Sequence, residues 1–379
     1  MKFPWTLVAA LVAFYLVAPN QTQALPLSAS EENPGNRWST INEGVIQERL
    51  ERIPLPFEVR YNAKVRYYIK DYVATGYKQT QSILGRSLMY FPIFEHYLTI
   101  RGLPKELMYL PIVESGLNPT AKSPVGAAGL WQLMYSTAKQ YGLKINGNVD
   151  ERLDPYRSTE AAVEMLAELY KEFKDWRLVL AAYNCGPGRV QQAIRAANSR
   201  DYWKLEQYLP AQTQRYVPAF VAAAYVVHYY DQHNLRPTYS ALNLRETRVL
   251  KVYHTLTFQE IASACGLPPA TIELLNPGYI RKVVPKNDKG NFLILPANSV
   301  AVFKDFLAGK AIANVGSVPS NMFKSTYVVA KGDRIEKLAS LFQCSVEDIM
   351  KWNGLSEPEV FVNQELIVFL PNQILSKRA

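Results

Sequence analysis

Hydrophobic and polar positions along the chain change their period near residue 245. Before that point the period is helical. The stretch VRYNAKVRYYIKDYV sets Val59, Val65, Tyr68, Ile69 and Tyr72 close to 3.6-residue spacing, the mark of one apolar helix face. The same spacing predicts helices over residues 88–100, 104–114, 136–141, 159–173, 177–183, 189–197 and 213–230. Pro104 suits a first helical turn, where its missing N–H costs nothing. Ser158 is placed to cap the helix that follows it. Strand patterns are almost absent here, so this region is expected to be mainly α.

Beyond DQHNLRPTYSALN two stretches share one plan. In residues 326–371 a β-rich start (Tyr327, Val328, Val329) leads to Gly332-Asp333. A helix follows with Ile335, Leu338, Ala339 and Phe342. A second helix starts at a Ser345 cap, with Glu347 and Asp348 in its first turn. Asn353-Gly354 then turns the chain into the closing strand ELIVFLP. Residues 249–296 repeat this order more loosely, with His254-Thr255 where the Gly-Asp pair would stand. The stretch GKAIANVGSVPSNMFKS between them reads as a linker of small and polar residues. This βααβ plan resembles the LysM family of N-acetylglucosamine-glycan binders. The second copy matches well and the first is a degenerate module, whose role is either glycan binding or protein contact.

The N-terminus, MKFPWTLVAALVAFYLVAPNQTQALP, has a basic Lys2, an apolar run to Ala18 and a small residue at Ala24. That is the anatomy of a secretory signal cleaved after Ala24. The alternative is an uncleaved inner-membrane anchor. The formal net charge is +9 without a dense Lys/Arg run. Such a charge keeps the protein soluble or draws it mildly to an anionic polymer, and an exported chain has no nucleic acid as partner. Cys185, Cys265 and Cys344 lack paired spacing, so they are free thiols or, in an oxidising compartment, leave one bridge open. His96, His228, His233 and His254 lack the spacing of a metal site. No metal and no cofactor are expected.

The candidate chemistry centres on LPIVESGLNPTAKSPVGAAGLWQLM, residues 110–134. Glu114 ends an apolar helix with no basic residue following before Lys122. Burial raises a carboxyl pKa, and the negative end of a helix pushes the same way. Both favour the protonated form that a general acid requires. A helix-end glutamate taken alone is commonly a solvated surface group. Three further stretches set this one apart: SPVGAAGLWQLM, AAYNCGPGRV and TQRYVPAFVAAAYVVHYY.

Glu114-Ser115, Gly129-Leu130-Trp131-Gln132 and Ala182-Tyr183-Asn184, in that order, resemble the lytic transglycosylases of glycoside hydrolase family 23. With the LysM tail, the chain resembles the membrane-bound D type of that family. The resemblance implies a lysozyme-like catalytic domain over residues 95–235. It implies a signal at 1–24, a helical extension at 25–94, and modules at 249–296 and 326–371. It also implies periplasmic action on peptidoglycan glycan strands at the cell wall. Glu114 would be the catalytic acid/base. Ser115, Ser123, Gln132, Met134, Tyr183, Asn184 and Tyr216 would bind substrate, and Gly126 and Gly129 would let their loop approach the helix. Gln212-Thr213 departs from the Glu-Thr that family members often carry.

Most glycosidases need two carboxyl groups. Asp150, Glu151, Asp154 and Glu160 are candidates for the second, but Asp154-Pro155 and Ser158-x-Glu160 read more simply as turn and helix-start residues. The family's reaction needs only one, because the C6 hydroxyl of N-acetylmuramic acid attacks its own C1 and forms a 1,6-anhydro ring. The alternatives are a lysozyme-type muramidase and a non-catalytic glycan binder.

Overall fold

The computed structural model describes residues 38, 42–238, 247–315, 322–329, 333–353, 355, 357–360 and 364–371. The expected signal segment lies outside these residues, as do Gly332 and Gly354 of the two turn pairs. Among the described residues no helix is long and apolar enough to cross a membrane. The chain divides into two compact units, the first built from 1–146 and 150–242, the second from 147–149 and 243–379.

The first unit is helical throughout. Its elements are α1 (Glu43–Glu51), α2 (Ala63–Lys70), α3 (Tyr77–Ile100), α4 (Leu110–Ser115), α5 (Tyr135–Gln140), α6 (Pro155–Phe173), α7 (Trp176–Cys185), α8 (Pro187–Ala197), α9 (Tyr202–Leu205) and α10 (Thr213–Tyr229). Asn62 caps α2 by accepting from the N–H groups of Lys64 and Val65. Helix α2 then runs into a single π-helical turn, Asp71–Thr75. The core is one cluster in which α10 is central: Val217, Phe220, Ala223 and Val226 are all buried.

Three elements differ from the periodicity, and the first is α3, which begins at Tyr77 rather than at 88. The helix expected over 104–114 is a 3₁₀ segment, Lys105–Tyr109, followed by the short α4. Pro111 has no N–H to give to the carbonyl of Leu107, so one α-helical bond cannot form there. Helix α6 starts four residues before Thr159, at Pro155, and its cap is Asp154 rather than Ser158. The Asp154 carboxylate accepts from the N–H of Tyr156 at 2.8 Å and of Arg157 at 3.0 Å. Asp-Pro combines the better cap with a proline at N1. Ser158 is buried inside the helix and donates to the Asp154 carbonyl.

The second unit carries two βααβ motifs. In the first, β1 (Thr247–Val252) pairs antiparallel with β4 (Asn291–Pro296), and β2 (Leu256–Thr257) with β3 (Val283–Val284). Between them lie α11 (Phe258–Cys265) and α12 (Pro269–Leu275). The motif is followed by α13 (Val300–Val315), so the expected linker is helical in its first part. Phe303 from this helix is fully buried in the first motif's core. In the second motif β5 (Met322–Val328) pairs with β6 (Glu365–Pro371) around α14 (Ile335–Phe342) and α15 (Val346–Asn353).

One device is common to both motifs. Asn276 donates its amide to the carbonyls of Ile272 and Ile294, and accepts from the Ile294 N–H at 2.7 Å. Asn353 does the same with Ile349 and Ile367, again accepting at 2.7 Å. Each buried amide ties the end of the second helix to the closing strand, and so satisfies backbone groups that a helix terminus leaves open. The degenerate first copy keeps this clamp.

Candidate active site

Glu114 sits one residue from the end of α4. The helix stops because Gly116 takes a left-handed φ of 57° and sends its N–H back to Ile112, a conformation glycine adopts without steric cost. Arg86 from α3 donates twice to the Gly116 carbonyl, at 3.2 and 2.8 Å. Its charge is thus directed at the helix end. The Ser115 hydroxyl is also held, donating to the carbonyls of Pro111 at 3.0 Å and Leu130 at 2.9 Å. These contacts leave the Glu114 side chain fixed in place, 8% exposed.

Among the described residues its hydrogen-bond partner is the phenol of Tyr216 on α10, which donates to Oε1. Burial pushes the carboxyl up to about 7, against the smaller lowering effect of the Tyr216 hydrogen bond. Among the described residues no cation offsets the burial. Near neutral pH a substantial part of the Glu114 population therefore carries a proton. Burial, followed by the nearby Glu114 charge, drives the Tyr216 phenol well above its usual value. Tyr183 on α7 is raised in the same way and donates to the Trp131 carbonyl at 2.8 Å.

The loop after α4 folds back through isolated bridges, Lys122 to Ala128 and Ala128 to Leu133. Trp131 pins it: the indole is fully buried, packs edge-on to Phe94, and donates to Thr159 at 2.9 Å. Gly129, at φ 84°, is required for a different approach than the one expected. A Cβ there would fall 1.8 Å from the Arg152 carbonyl, so the glycine admits the 150–154 stretch rather than α4. Gly126, at φ 88°, has open space around it and serves the turn alone.

A cleft of about 940 Å³ opens over this arrangement. It brings together Glu114, Ser115, Ser123, Gln132, Asn184 and Tyr216. Met134 and Tyr183 are not on its wall; Met134 is half-buried at the start of α5. Several lining groups keep hydrogen-bonding capacity free for a ligand. The Gln132 amide nitrogen is committed to the carbonyls of Ala121 and Gly129, at 3.1 and 2.8 Å, which leaves its oxygen as an acceptor. That residue holds a left-handed φ of 46°, uncommon for a side chain of its size. Ser123 accepts from the Ala127 N–H at 2.9 Å and keeps its own proton to donate. Asn184 accepts from Thr213 at 2.8 Å. Gln212 lines the cleft as well.

Sequence reasoning missed Asp71, Gln79, Lys122 and Arg215 on this wall, and Arg86 behind it. Asp71 and Arg215 are 144 positions apart (215 − 71), and each reads locally as a solvated charge on a helix. Only the packing of α2 and its π turn beside α10 shows that both reach one cleft.

Comparisons with known proteins agree with this architecture. Residues 92–206 match the transglycosylase SLT domain. Residues 246–311 match the LysM-like domain of lytic transglycosylase MltD, and residues 327–369 match the LysM domain. Membrane-bound lytic murein transglycosylase D of Escherichia coli K12 is 33% identical over 347 residues, covering 88% of this chain and 73% of the relative. Soluble lytic murein transglycosylase of the same strain is 32% identical over 143 residues, covering 36% of this chain and 22% of the relative. A solved complex of the 70-kDa soluble lytic transglycosylase with bulgecin A shares 26% identity, with a TM-score of 0.36, over 47% of this chain and 30% of that one. A third of the residues are identical across most of both chains, and the catalytic and LysM domains fall in the same chain, so the protein belongs to the membrane-bound lytic murein transglycosylase D family and is a lytic transglycosylase.

Proposed function

We propose that this enzyme cleaves the β-1,4 bond between N-acetylmuramic acid and N-acetylglucosamine in peptidoglycan, leaving 1,6-anhydro ends, with Glu114 as its single acid/base. The observation that carries the reading is Glu114 itself: buried, fixed, facing a cleft, and held by a phenol rather than a cation. In the first half of the reaction the Glu114 proton passes to the glycosidic oxygen as its bond to C1 breaks. In the second half the Glu114 carboxylate takes the proton of the C6 hydroxyl as that oxygen bonds to C1. No water is consumed and Glu114 ends protonated, ready for the next turn. The nucleophile belongs to the substrate, so its high effective concentration replaces a second catalytic carboxylate.

Ser123, the Gln132 oxygen and Asn184 are suited to hydroxyl and acetamido groups, and Tyr216 holds the carboxyl in register. Ser115 supports the site from behind through its two carbonyl bonds, and Tyr183 holds the Trp131 loop. Residues 1–24 would export the chain to the periplasm, or anchor it to the inner membrane if uncleaved. The LysM domains would bind glycan strands and keep the enzyme at the wall, raising its local concentration there. The test is the mass of the digestion products. Muropeptides one water lighter than lysozyme products, without new reducing ends, are expected. Predominantly reducing ends would make the enzyme a hydrolase.

A further inference from the structure

A polar hairpin tip in this chain ends on a buried valine. The hairpin closes where Ile145 bridges Asp150, and the Glu151 N–H donates back to the Lys144 carbonyl. Its tip reads Asn146-Gly147-Asn148-Val149, a composition that suits a solvated turn. Gly147 and Asn148 are exposed, but Val149 is 9% exposed and belongs to the core of the first βααβ motif. Gly147–Val149 fall in the second unit, while the residues on either side of them fall in the first.

The motif holds this segment through the stretch between α12 and β3. Val149 forms an antiparallel bridge with Tyr279, and the Ile280 N–H donates to the Asn148 carbonyl at 3.0 Å. The exposed Arg281 side chain donates from Nε to the Gly147 carbonyl at 3.2 Å. Tyr279 is itself fixed: its ring meets Phe258 edge-on, and its hydroxyl donates to the Phe292 carbonyl. Main-chain pairing combined with a side chain set into a core is how a folded module takes up an extended peptide. The second motif differs. Among the described residues its core is drawn from 327–369, within its own βααβ plan.

We propose that the first βααβ motif is a docking module for the chain's own Gly147–Val149 segment, and that docking holds the Asp150–Arg152 stretch in its working position. Val149 is followed directly by Asp150, whose carboxylate pairs with Arg152 at 2.8 Å. Arg152 in turn donates to the Gly126 carbonyl at 2.8 Å, inside the turn that Ser123 and Ala127 close. Loss of docking frees the hairpin tip, loosens the Arg152 contact and displaces Ser123. Val149, Ile280 and Arg281 are thus positioning residues, which act on the Ser123 loop through Arg152. The motif that lacks the Gly-Asp pair has its partner inside the chain.

The test uses the full chain and reads amide hydrogen exchange together with steady-state kinetics on soluble glycan strands. Val149→Asp puts a charge where the valine was buried. It should speed exchange at Ile280 roughly ten- to a hundred-fold, the worth of burying one valine. Exchange across 123–128 should rise with it. KM should rise about ten-fold, below the roughly hundred-fold cost of a full ångström of misplacement, while kcat stays close to wild type. Val149→Ile should restore both readouts. Arg281→Gln, at an exposed position, leaves the core intact and carries the same test where Val149→Asp does not fold; its effects should be about two- to five-fold, the worth of one hydrogen bond. Unchanged exchange at Ile280, or faster exchange there with 123–128 and KM both unmoved, would overturn the docking role. So would slower exchange at 279–281 of the wild-type chain on adding chitotetraose, because that face would then be a glycan site. The KM arm rests on the substrate role proposed above for Ser123, and the exchange arms do not. Faster exchange at both places with KM unmoved would remove Ser123 from substrate binding and leave the docking standing.

Discussion

Two regions of the first unit hold buried carboxylates, and only one is suited to acid chemistry. Around residue 150 the chain concentrates Asp150, Glu151 and Asp154, with Glu160 further along α6. All four are occupied. Asp150 forms a buried ion pair with Arg152, the two side chains meeting at 2.8 Å. Glu151 accepts from the Lys144 N–H at 2.6 Å, Asp154 caps α6, and Glu160 pairs with Arg157. Glu114 has a single phenol and a cleft. A raised pKa does not separate the two regions by itself, because burial also pushes Asp154 up to about 6. What separates them is employment: Asp154 accepts two backbone N–H groups at Oδ1 as the cap of α6, whereas Glu114 accepts from one phenol and faces a cleft with room for a ligand.

The largest effect expected from breaking this contrast is on the structural side. Removing Asp150 leaves the Arg152 guanidinium buried without its partner. Arg152 also donates to the Gly126 carbonyl at 2.8 Å, holding the loop that carries Ser123. Asp150→Ala should therefore cost about 3–5 kcal/mol in denaturant unfolding. A loss below 1 kcal/mol would remove the pair from the framework of the site.

Glu114 should show the opposite sign. Its folded pKa is raised from 4.5 to about 7, so ionising it favours the unfolded chain. The stability it allows is fully present below pH 4.5 and is lost as pH rises through 7. One pKa unit is worth about 1.4 kcal/mol, which puts the full penalty near 3 kcal/mol. Glu114→Gln should be more stable than wild type at pH 8 and lose that advantage below pH 4.5. Unfolding midpoints across this range check the sign. A pH-independent difference would mean that Glu114 is not a desolvated acid.

Tyr216 sharpens the comparison further, with a smaller effect. Its hydrogen bond favours the carboxylate, so Tyr216→Phe should raise the Glu114 pKa by about one unit, the worth of a hydrogen bond to a charged group. The alkaline limb of the kcat/KM profile should move to higher pH by that amount. An unmoved limb would detach Tyr216 from the titrating group.

Local patterns in the chain made much of this legible. Apolar spacing located the helices that pack the core, and the Ser345 cap is present, with its hydroxyl accepting from the Asp348 N–H at 3.0 Å. Glu114 stood out because the apolar run around it is local. The rest depends on partners remote in sequence or on backbone chemistry that overrides periodicity. Pro111 cut one helix into a 3₁₀ segment and a single short turn, and Asp154-Pro155 moved another helix start. The clamp at Asn276 was hidden because Pro277 follows it, although the residue doing the work matches Asn353. Asp71 and Arg215 gave no signal at all, since each becomes a cleft residue only through tertiary packing.

In the proposed reaction Glu114 alone supplies and removes the proton. The most direct measurement is turnover of purified peptidoglycan strands by Glu114→Gln, with folding and strand binding monitored in the same preparation. Gln keeps the size of the side chain and an oxygen to accept from Tyr216, but it has no proton to transfer. Intact binding and a loss of roughly 10²- to 10⁴-fold in kcat, the worth of general acid-base catalysis, are expected. A folded variant that still turns over at close to the wild-type rate would contradict that reaction.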